Sequence, residues 1–544
     1  MPTVVSAALI CLLAAAGAWA QAPAAGPAAP PEAAADSEPR FDVLEFIVEG
    51  NTVLPVTTIE QAVYPHLGLA RRFEDVEAAR KALETAYREA GYSLATVDIP
   101  EQRADSGLIR LVVSEGRVAR TRVVGARYYS QGYILSRVTE AAEGQVPHMP
   151  TFQAQLLDVN RNADRRVAPV LRPGAEPGTT EVDLNVTDQL PLHGSLSLNN
   201  QASRNTSATR LVAALSYDNV AQRDHSLGLQ AVLSPEASGE VQVLSASYSM
   251  PRGPAGLAAL TLSATRSDSR VFAGVGDTQL FGKGNIFGVR RSVVLEVAEQ
   301  SFQLLTLQAE YKDMLDSVQA GAGAGFDTPI TYLPLSLGWT GAFRLPADRL
   351  GGGEWQLGST LSGGLRGLVN DQAEFANKRF RAQAQYFLLK LDARHSRTLP
   401  WWGLRLRAQA EMQLAPAPLI SNEQFVLGGA NSVRGYLEAE AVGDQGLRGS
   451  LQLSTPDLAA RLGWPLLAAA SLHTFIDAGV AELRRPLPEQ PWRFRLLGVG
   501  FGGQLVSKGS YPISLSLEVG WPLLKRDTVG SDGLRAHANA SIGF

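Results

Sequence analysis

The 544-residue chain is short of cysteine, of charge and of long apolar runs. A single cysteine, Cys11, excludes a disulfide scaffold. Lys plus Arg (49) and Asp plus Glu (53) nearly cancel, so the net charge of −4 gives no electrostatic case for a nucleic-acid partner. Charged residues make up 19%, below the ~25% usual in soluble domains. Beyond residue 20 there is no stretch of about 18 uncharged apolar residues, which excludes a bundle of membrane-spanning helices. Collagen, coiled coil and wholesale disorder do not fit the composition either. What the chain does have is 45% hydrophobic residues and 52 glycines, a balance compatible with a transmembrane β-barrel but not sufficient to establish one.

Residues 1–20 read as a secretory signal. Val4–Ala16 is a short apolar core, and Ala18-Trp19-Ala20 is a small-x-small cleavage site; the segment before the core lacks Lys and Arg. Cys11 is a poor lipidation site because Ile10 precedes it where a small residue is needed. Residues 21–40 hold eight Ala and five Pro without helical periodicity and read as a linker. At the other end, Leu534, Ala536, Ala538, Ala540, Ile542 and Phe544 alternate with Arg535, His537, Asn539 and Ser541. One greasy and one wet face is what a wall between lipid and an aqueous lumen requires.

Between the ends, two halves differ. Over residues 41–116 the pattern predicts a strand at Phe41–Glu49, broken by Gly50-Asn51, and helices at Thr58–Leu67 and Phe73–Ala90. Strands at Leu94–Ile99 and Leu108–Val113 follow, joined by a turn around Asp105-Ser106-Gly107. Residues 117–190 repeat this β-α-α-β-β order: strand Arg120–Val124, helices near Tyr133–Ala142 and Phe152–Arg165, strands Val167–Leu171 and Thr180–Thr187.

From residue 191 to 544 the helical signal disappears. Leu404, Leu406, Ala408, Ala410, Met412 and Leu414 alternate without error with Arg405, Arg407, Gln409, Glu411 and Gln413. Ile513–Trp521 and Phe380–Tyr386 alternate in the same way. A soluble sheet wetted on one face shows this pattern too, but its repetition favours a barrel. Sixteen candidate strands begin near residues 192, 208, 225, 239, 256, 285, 301, 329, 353, 379, 402, 447, 467, 493, 511 and 534. An even number suits a closed antiparallel barrel, and about 22 residues per strand plus connection leaves room for the ~9–11 that span a bilayer. Trp401, Trp402, Trp464, Tyr511 and Trp521 fall near strand ends, where interfacial aromatic girdles lie.

One connection, residues 415–446 between the eleventh and twelfth strands, is far longer than a turn, and long loops are usually functional or disordered. It carries Gly428-Gly429-Ala430-Asn431-Ser432-Val433-Arg434-Gly435-Tyr436 and then Gly443-Asp444. The thirteenth strand carries Phe475-Ile476-Asp477-Ala478-Gly479, in which Ile476 and Ala478 would face lipid and Asp477 the lumen. An arginine on a loop that enters the lumen needs a fixed anionic partner, and a bidentate carboxylate contact would hold it in one place.

These features together resemble the two-partner secretion transporters, the TpsB or hemolysin secretion/activation family of the polypeptide-transporting β-barrel superfamily. The resemblance rests on the paired α/β units, which look like tandem POTRA domains, and on Val48-Glu49-Gly50-Asn51, which matches the usual end of the first POTRA strand. It rests further on the sixteen-strand count, on Val433-Arg434-Gly435-Tyr436 in the sixth outer loop, on the F-x-D-x-G strand and on the terminal Phe544. It implies two periplasmic α+β POTRA domains (41–116 and 117–190) before a 16-stranded antiparallel barrel (191–544) in the outer membrane of a Gram-negative bacterium. It implies an Arg434–Asp477 salt bridge, with Val433, Gly435 and Tyr436 shaping the loop, Phe475 and Gly479 making room on the wall, and Phe544 ending an assembly signal. Expected partners are an extended exoprotein cargo, outer-membrane lipid and the barrel-assembly machinery. The Leu94–Ile99 strand is the candidate edge for cargo. The family commonly has an N-terminal helix that plugs the barrel; residues 21–40 do not resemble it, so closure would rest on the 415–446 loop alone, or the pore would leak.

Enzyme signals are weak or missing. Gly498-Val499-Gly500-Phe501-Gly502-Gly503 fits G-x-G-x-x-G, but no helix follows, and close strand packing or a narrow lumen explains it better. Phe281-Gly282-Lys283-Gly284 lacks phosphate-loop spacing, and neither H-E-x-x-H nor G-x-S-x-G occurs. The seven histidines are scattered, so no metal site, cofactor or catalytic residue is expected. Two other readings stay open: a barrel-assembly factor of the same superfamily and a passive porin.

Overall fold

The computed structural model describes residues 40–544 except 204–205, 238, 253–256, 270–272, 276–277, 281, 319–325, 347–351, 401, 489 and 525–532. The expected signal, the linker up to residue 39 and Trp401 lie outside the described residues. The chain divides into two compact units, residues 40–90 with 95–115, and residues 91–94 with 116–544.

In the first unit a three-stranded sheet runs in the order Glu45–Glu49, Leu108–Ser114, Thr96–Asp98, the first pair parallel and the second antiparallel. Helices Val56–Val63 and Phe73–Glu89 pack on it, the latter through Val76, Ala79, Leu83 and Tyr87 at helical spacing. Gly50 takes φ +88°, and a Cβ there would lie 2.2 Å from the Val113 carbonyl oxygen. The chain then turns onto Glu115, whose carboxylate accepts from the Thr52 and Val53 amides at 2.6 and 3.1 Å. The expected strand Phe41–Glu49 is split at Leu44, whose N–H donates to the Gly107 carbonyl. Phe41–Val43 pairs instead with Gly68–Arg71, a strand that the sequence pattern did not reveal.

The start of the second unit repeats this arrangement: Arg117–Val124 runs parallel to Thr179–Asp188, which pairs antiparallel with Arg165–Pro173. Helices Gln131–Arg137 and Met149–Val159 cover the sheet; the second ends at Val159, six residues before its expected end, because Arg165 already begins a strand. Gly125 repeats Gly50, with φ +87° and the Val186 carbonyl oxygen 2.5 Å from where a Cβ would sit. Asp188 repeats Glu115, accepting from the amides of Arg127, Tyr128 and Tyr129.

The rest of the unit is a closed antiparallel barrel. Its wall strands are Leu192–Asn199, Arg210–Val220, His225–Leu233, Val241–Arg252, Ala258–Ser269, Lys283–Val297, Ser301–Val318, Phe326–Leu345 (interrupted at Leu333), Gly353–Gly364, Tyr386–Thr398, Arg405–Leu414, Gln445–Ser454, Leu467–Glu482, Arg493–Ser507, Ile513–Pro522 and Arg535–Gly543. That makes sixteen wall positions, with the sixteenth closing on the first. Outward positions such as Leu198, Leu229, Phe287, Leu337, Phe387 and Leu517 are exposed apolar side chains, whereas inward positions carry Ser, Thr, Gln, Arg and Glu. Apolar outside and polar inside inverts a soluble fold and suits a wall in lipid. Trp402, Trp464 and Tyr511 lie in turns at the end where the chain enters the barrel, and Trp521 lies near the opposite end.

One strand assignment needs correction. Residues 379–385 are not wall despite their alternation; the tenth strand begins at Tyr386. Residues 365–385 fold into the lumen around the helix Gln372–Lys378, and the Gln372 amide donates to the Ala382 carbonyl and accepts from the Ala384 amide, so a side chain takes the place of a neighbouring strand. Arg381 sits at φ +62°, which no continuous strand allows.

The second α/β repeat docks on the first hairpin of the barrel. Asp224, in the turn between the second and third wall strands, accepts from Arg165 Nη2 at 2.9 Å and from the Tyr133 hydroxyl. The buried Arg165 guanidinium lies 4.7 and 4.9 Å from the Tyr129 and Tyr133 ring centroids. Gln222 bridges the Ser130 amide and the Tyr128 carbonyl.

Candidate functional site

The 415–446 connection enters the barrel. Phe425–Leu427 and Ala441–Gly443 form a two-stranded antiparallel ribbon, with residues 428–440 as its tip. Gly428 and Gly429, at φ +100° and +107°, make the bend that β-carbon-bearing residues resist. The tip folds because it has its own apolar core: Phe425, Leu427, Val433, Tyr436 and Ala441 pack on Ala481 and Leu496 of the wall. Burying that cluster offsets the cost of ordering a long loop.

This core presents Arg434 to the inner wall. Its Nε donates to Asp477 Oδ2 at 2.7 Å and Nη2 to Oδ1 at 2.8 Å, a bidentate pair, and its own backbone N–H reaches Oδ2 at 3.1 Å. Nη1 donates to Gln452 Oε1 and Glu518 Oε1, both at 3.2 Å, and Nη2 also donates to Ser450 Oγ at 3.2 Å. All five guanidinium N–H groups therefore have acceptors. The Phe475 ring lies beneath, its centroid 3.5 Å from the guanidinium carbon. Asp477 is fully buried and Arg434 is 6% exposed, so neither charge has water as a substitute partner. Glu518 continues the network, its Oε1 lying 2.9 Å from His473 Nε2.

Glycines set how closely the tip approaches. A Cβ on Gly498 would lie 2.0 Å from the Arg434 carbonyl oxygen, and one on Gly500 would lie 2.4 Å from the Phe475 ring. The G-x-G-x-x-G stretch is thus a wall strand pared down to admit the loop. Gly435, at φ +97°, lies against the backbone of Gly520–Pro522, and a Cβ on Gly479 would press on Leu427 and Val433. The Tyr436 hydroxyl lies 3.1 and 2.8 Å from the Leu497 and Leu524 carbonyl oxygens, near the outer end of one wall strand and just past the end of the next.

The structure thus brings Val433, Arg434, Gly435, Tyr436, Phe475, Asp477 and Gly479 into one place. Reading the sequence missed Gln452, Ser450, Glu518 and His473; the only signal was their inward position on alternating strands. It also missed the outer end of the site. Arg379 pairs with Asp444, Nη2 to Oδ2 at 2.8 Å, and the Arg484 amide donates to Asp444 at 2.6 Å. Lys312 Nζ and the Tyr332 hydroxyl both reach Glu423 Oε1 at 2.9 Å. Phe375 is buried between Tyr332 and Tyr386, with ring centroids 5.9 and 6.0 Å away. The 415–446 loop therefore shares the lumen with a second insertion, residues 365–385. At the opposite end, Phe544 exchanges backbone hydrogen bonds with Gly194 at 2.9 and 3.0 Å, and its ring covers that glycine.

The family model described as "Haemolysin secretion/activation protein ShlB/FhaC/HecB" matches residues 178–505, and the ShlB-type POTRA domain model matches residues 41–116. The outer membrane transporter CdiB of Escherichia coli O6:K15:H31 is 24% identical over 526 residues, covering 94% of this chain and 84% of the relative. Among solved structures, CdiB from Escherichia coli superposes with a TM-score of 0.58 at 20% identity, over 95% of this chain and 93% of that one. BamA from Haemophilus ducreyi lacking POTRA domains 1–3 gives 0.54 at 13% identity, over 93% and 100%, so barrel and α/β repeats alone do not separate exporters from assembly factors. The family match makes that separation: the chain belongs to the haemolysin secretion/activation protein family ShlB/FhaC/HecB and is an outer-membrane translocator of two-partner secretion with its POTRA domains in the periplasm.

Proposed function

We propose that the periplasmic POTRA repeats bind an exoprotein while it is extended, and that it then threads the lumen past a loop held by Arg434. The observation that carries this reading is the complete set of acceptors around Arg434. A loop fixed by one buried ion pair and a small apolar core has two discrete states, docked and released, and a polypeptide in the lumen would favour release. The inner wall of the first seven strands supports the same reading. Ser195, Ser216, Gln230, Ser247, Ser263 and Gln308 line a cavity there beside His193, Arg290 and Glu310, so most polar groups that a passing backbone would meet are neutral hydroxyls and amides.

Strand addition to a sheet edge is the simplest way to hold an unfolded chain, because its bonds run between backbones. The Leu94–Ile99 candidate contracts to Thr96–Asp98, and Arg80 Nη1 already takes the Val97 carbonyl at 3.2 Å. The opposite edge, Glu45–Glu49, offers five residues and is the better rail. Lipid meets the outward apolar belt, and the sixteenth strand with Phe544 is the part that the barrel-assembly machinery would engage. A photo-crosslinker at Glu45 should capture the exoprotein encoded beside this gene, and one at Thr96 should capture less. Capture at neither edge would sink the strand-addition reading, and an isolated gene with no large exported neighbour would weaken the assignment of a dedicated cargo.

A further inference from the structure

The histidines are scattered along the chain, but the fold brings one of them to a pair of carboxylates. His193, at the start of the first wall strand, and Asp218, near the end of the second, both point into the lumen mouth; His193 is in register with Ser216, two residues before Asp218 on the same face. Asp164, from the turn before Arg165–Pro173 of the second POTRA repeat, reaches the same point. His193 Nε2 lies 3.0 Å from Asp164 Oδ2 and 3.8 Å from Asp218 Oδ2, and the three ligand atoms all lie within 4.8 Å of one another.

We propose that Asp164, His193 and Asp218 bind one divalent transition-metal cation of the zinc class, which ties the second POTRA repeat to the inner mouth of the barrel. A tetrahedral zinc with bonds of about 2.0–2.1 Å holds its ligand atoms about 3.3 Å apart, and the two histidine contacts fall on either side of that spacing. Among the described residues, neither carboxylate pairs with a lysine or arginine; the neighbouring Arg165 is committed to Asp224. Two carboxylates beside a neutral imidazole leave two negative charges, which one divalent cation neutralises. The first ligand is also aimed from behind. The Asp164 side chain is 2% exposed, its Oδ1 accepts from Gln189 Nε2 at 2.9 Å, and its carbonyl accepts from the Gln189 amide at 2.8 Å. His193 and Asp218 stay partly open to solvent, which leaves a path for the ion and room for a water as fourth ligand. Imidazole selects the zinc class over magnesium or calcium, which prefer all-oxygen sites.

The test uses the full-length protein in detergent, stripped with a chelator and titrated with zinc sulfate by calorimetry against a competing chelator. One zinc per chain is expected, with at least 100-fold weaker binding in both His193→Gln and Asp218→Asn and no heat from magnesium chloride at the same concentrations. Heat-modifiable migration on gels checks that both variants keep the closed barrel. Zinc should also slow hydrogen exchange in residues 160–166 and 216–224 of the wild type only. Absence of stoichiometric zinc binding overturns the proposal, and so does binding that survives unchanged in His193→Gln. In either case the contact between His193 and Asp164 is a hydrogen bond that docks the repeat without a metal.

Discussion

Removing Asp477 tests how the loop is held. Asp477→Ala deletes both oxygens of the bidentate pair and the acceptor of the Arg434 amide, and leaves the guanidinium with Glu518, Gln452, Ser450 and the Phe475 ring. Arg434→Ala leaves the opposite defect, a carboxylate with no exposure and no cation. Breaking a buried ion pair from one side costs about 3–5 kcal/mol, whereas the loop's apolar core and the Tyr436 hydroxyl bonds survive either change. At 1.4 kcal/mol per decade, the docked-to-released ratio of the loop falls by about two to three and a half orders of magnitude. The barrel wall loses none of its ladder bonds, so it should still insert. Cys11 lies in the expected signal, so a spin label at Asn431→Cys would be the mature chain's only thiol. Its spectrum should be immobile in the wild type and mobile in both single variants, with export of the exoprotein abolished in both. The double variant should cost less than the sum of the singles, because neither charge is then left buried alone. Wild-type export and an immobile label in both single variants would refute the reasoning.

Gly498→Ala should release the loop with both charges intact, since its Cβ would sit 2.0 Å from the Arg434 carbonyl oxygen; the same label reads the change, and a still-immobile tip would count against it. Phe375→Ala removes a ring from the outer insertion, a change that costs ~3–5 kcal/mol in a packed core, and should raise single-channel conductance, whereas deletion of residues 21–40 should leave it unchanged. At Asp224, burial raises the carboxyl pKa, but hydrogen bonds from Arg165 and Tyr133 outweigh this and hold it below the ordinary value. Its contribution to docking is therefore fully present above the unfolded value of about 4 and is lost only as pH falls through the lower folded one. Hydrogen exchange in residues 128–137 should thus be flat between pH 5 and 8 after correction for intrinsic rates, and rise only in stronger acid; Asp224→Asn should raise it across pH 5 to 8 and lose its effect in stronger acid.

The parts of the molecule legible in sequence are those governed by a short period. Alternation of two gave nearly every wall strand because each faces lipid on one side and water on the other. Helical spacing gave Phe73–Glu89 because one stripe of it is buried. The alternation at Phe380–Tyr386 misled because Ala382 and Ala384 are buried inside the lumen, where a loop can imitate a strand's burial pattern without joining the wall. The loop and strand motifs pointed to Arg434 and Asp477 through resemblance, but nothing local revealed Glu518, 84 residues on, as a second carboxylate on the same guanidinium.

By itself the sequence determined that this chain closes a sixteen-strand cylinder behind two α/β repeats, since those choices follow from which faces must be apolar. Only the tertiary structure decided which inward charges meet: Arg434 with three strands of the wall, Arg379 with Asp444, and His193 with one carboxylate of the neighbouring wall strand and one from the second α/β repeat. Inward positions on a closed sheet are set by its curvature and register, which bring distant strands face to face across a lumen, and no periodicity along one strand encodes what lies opposite it.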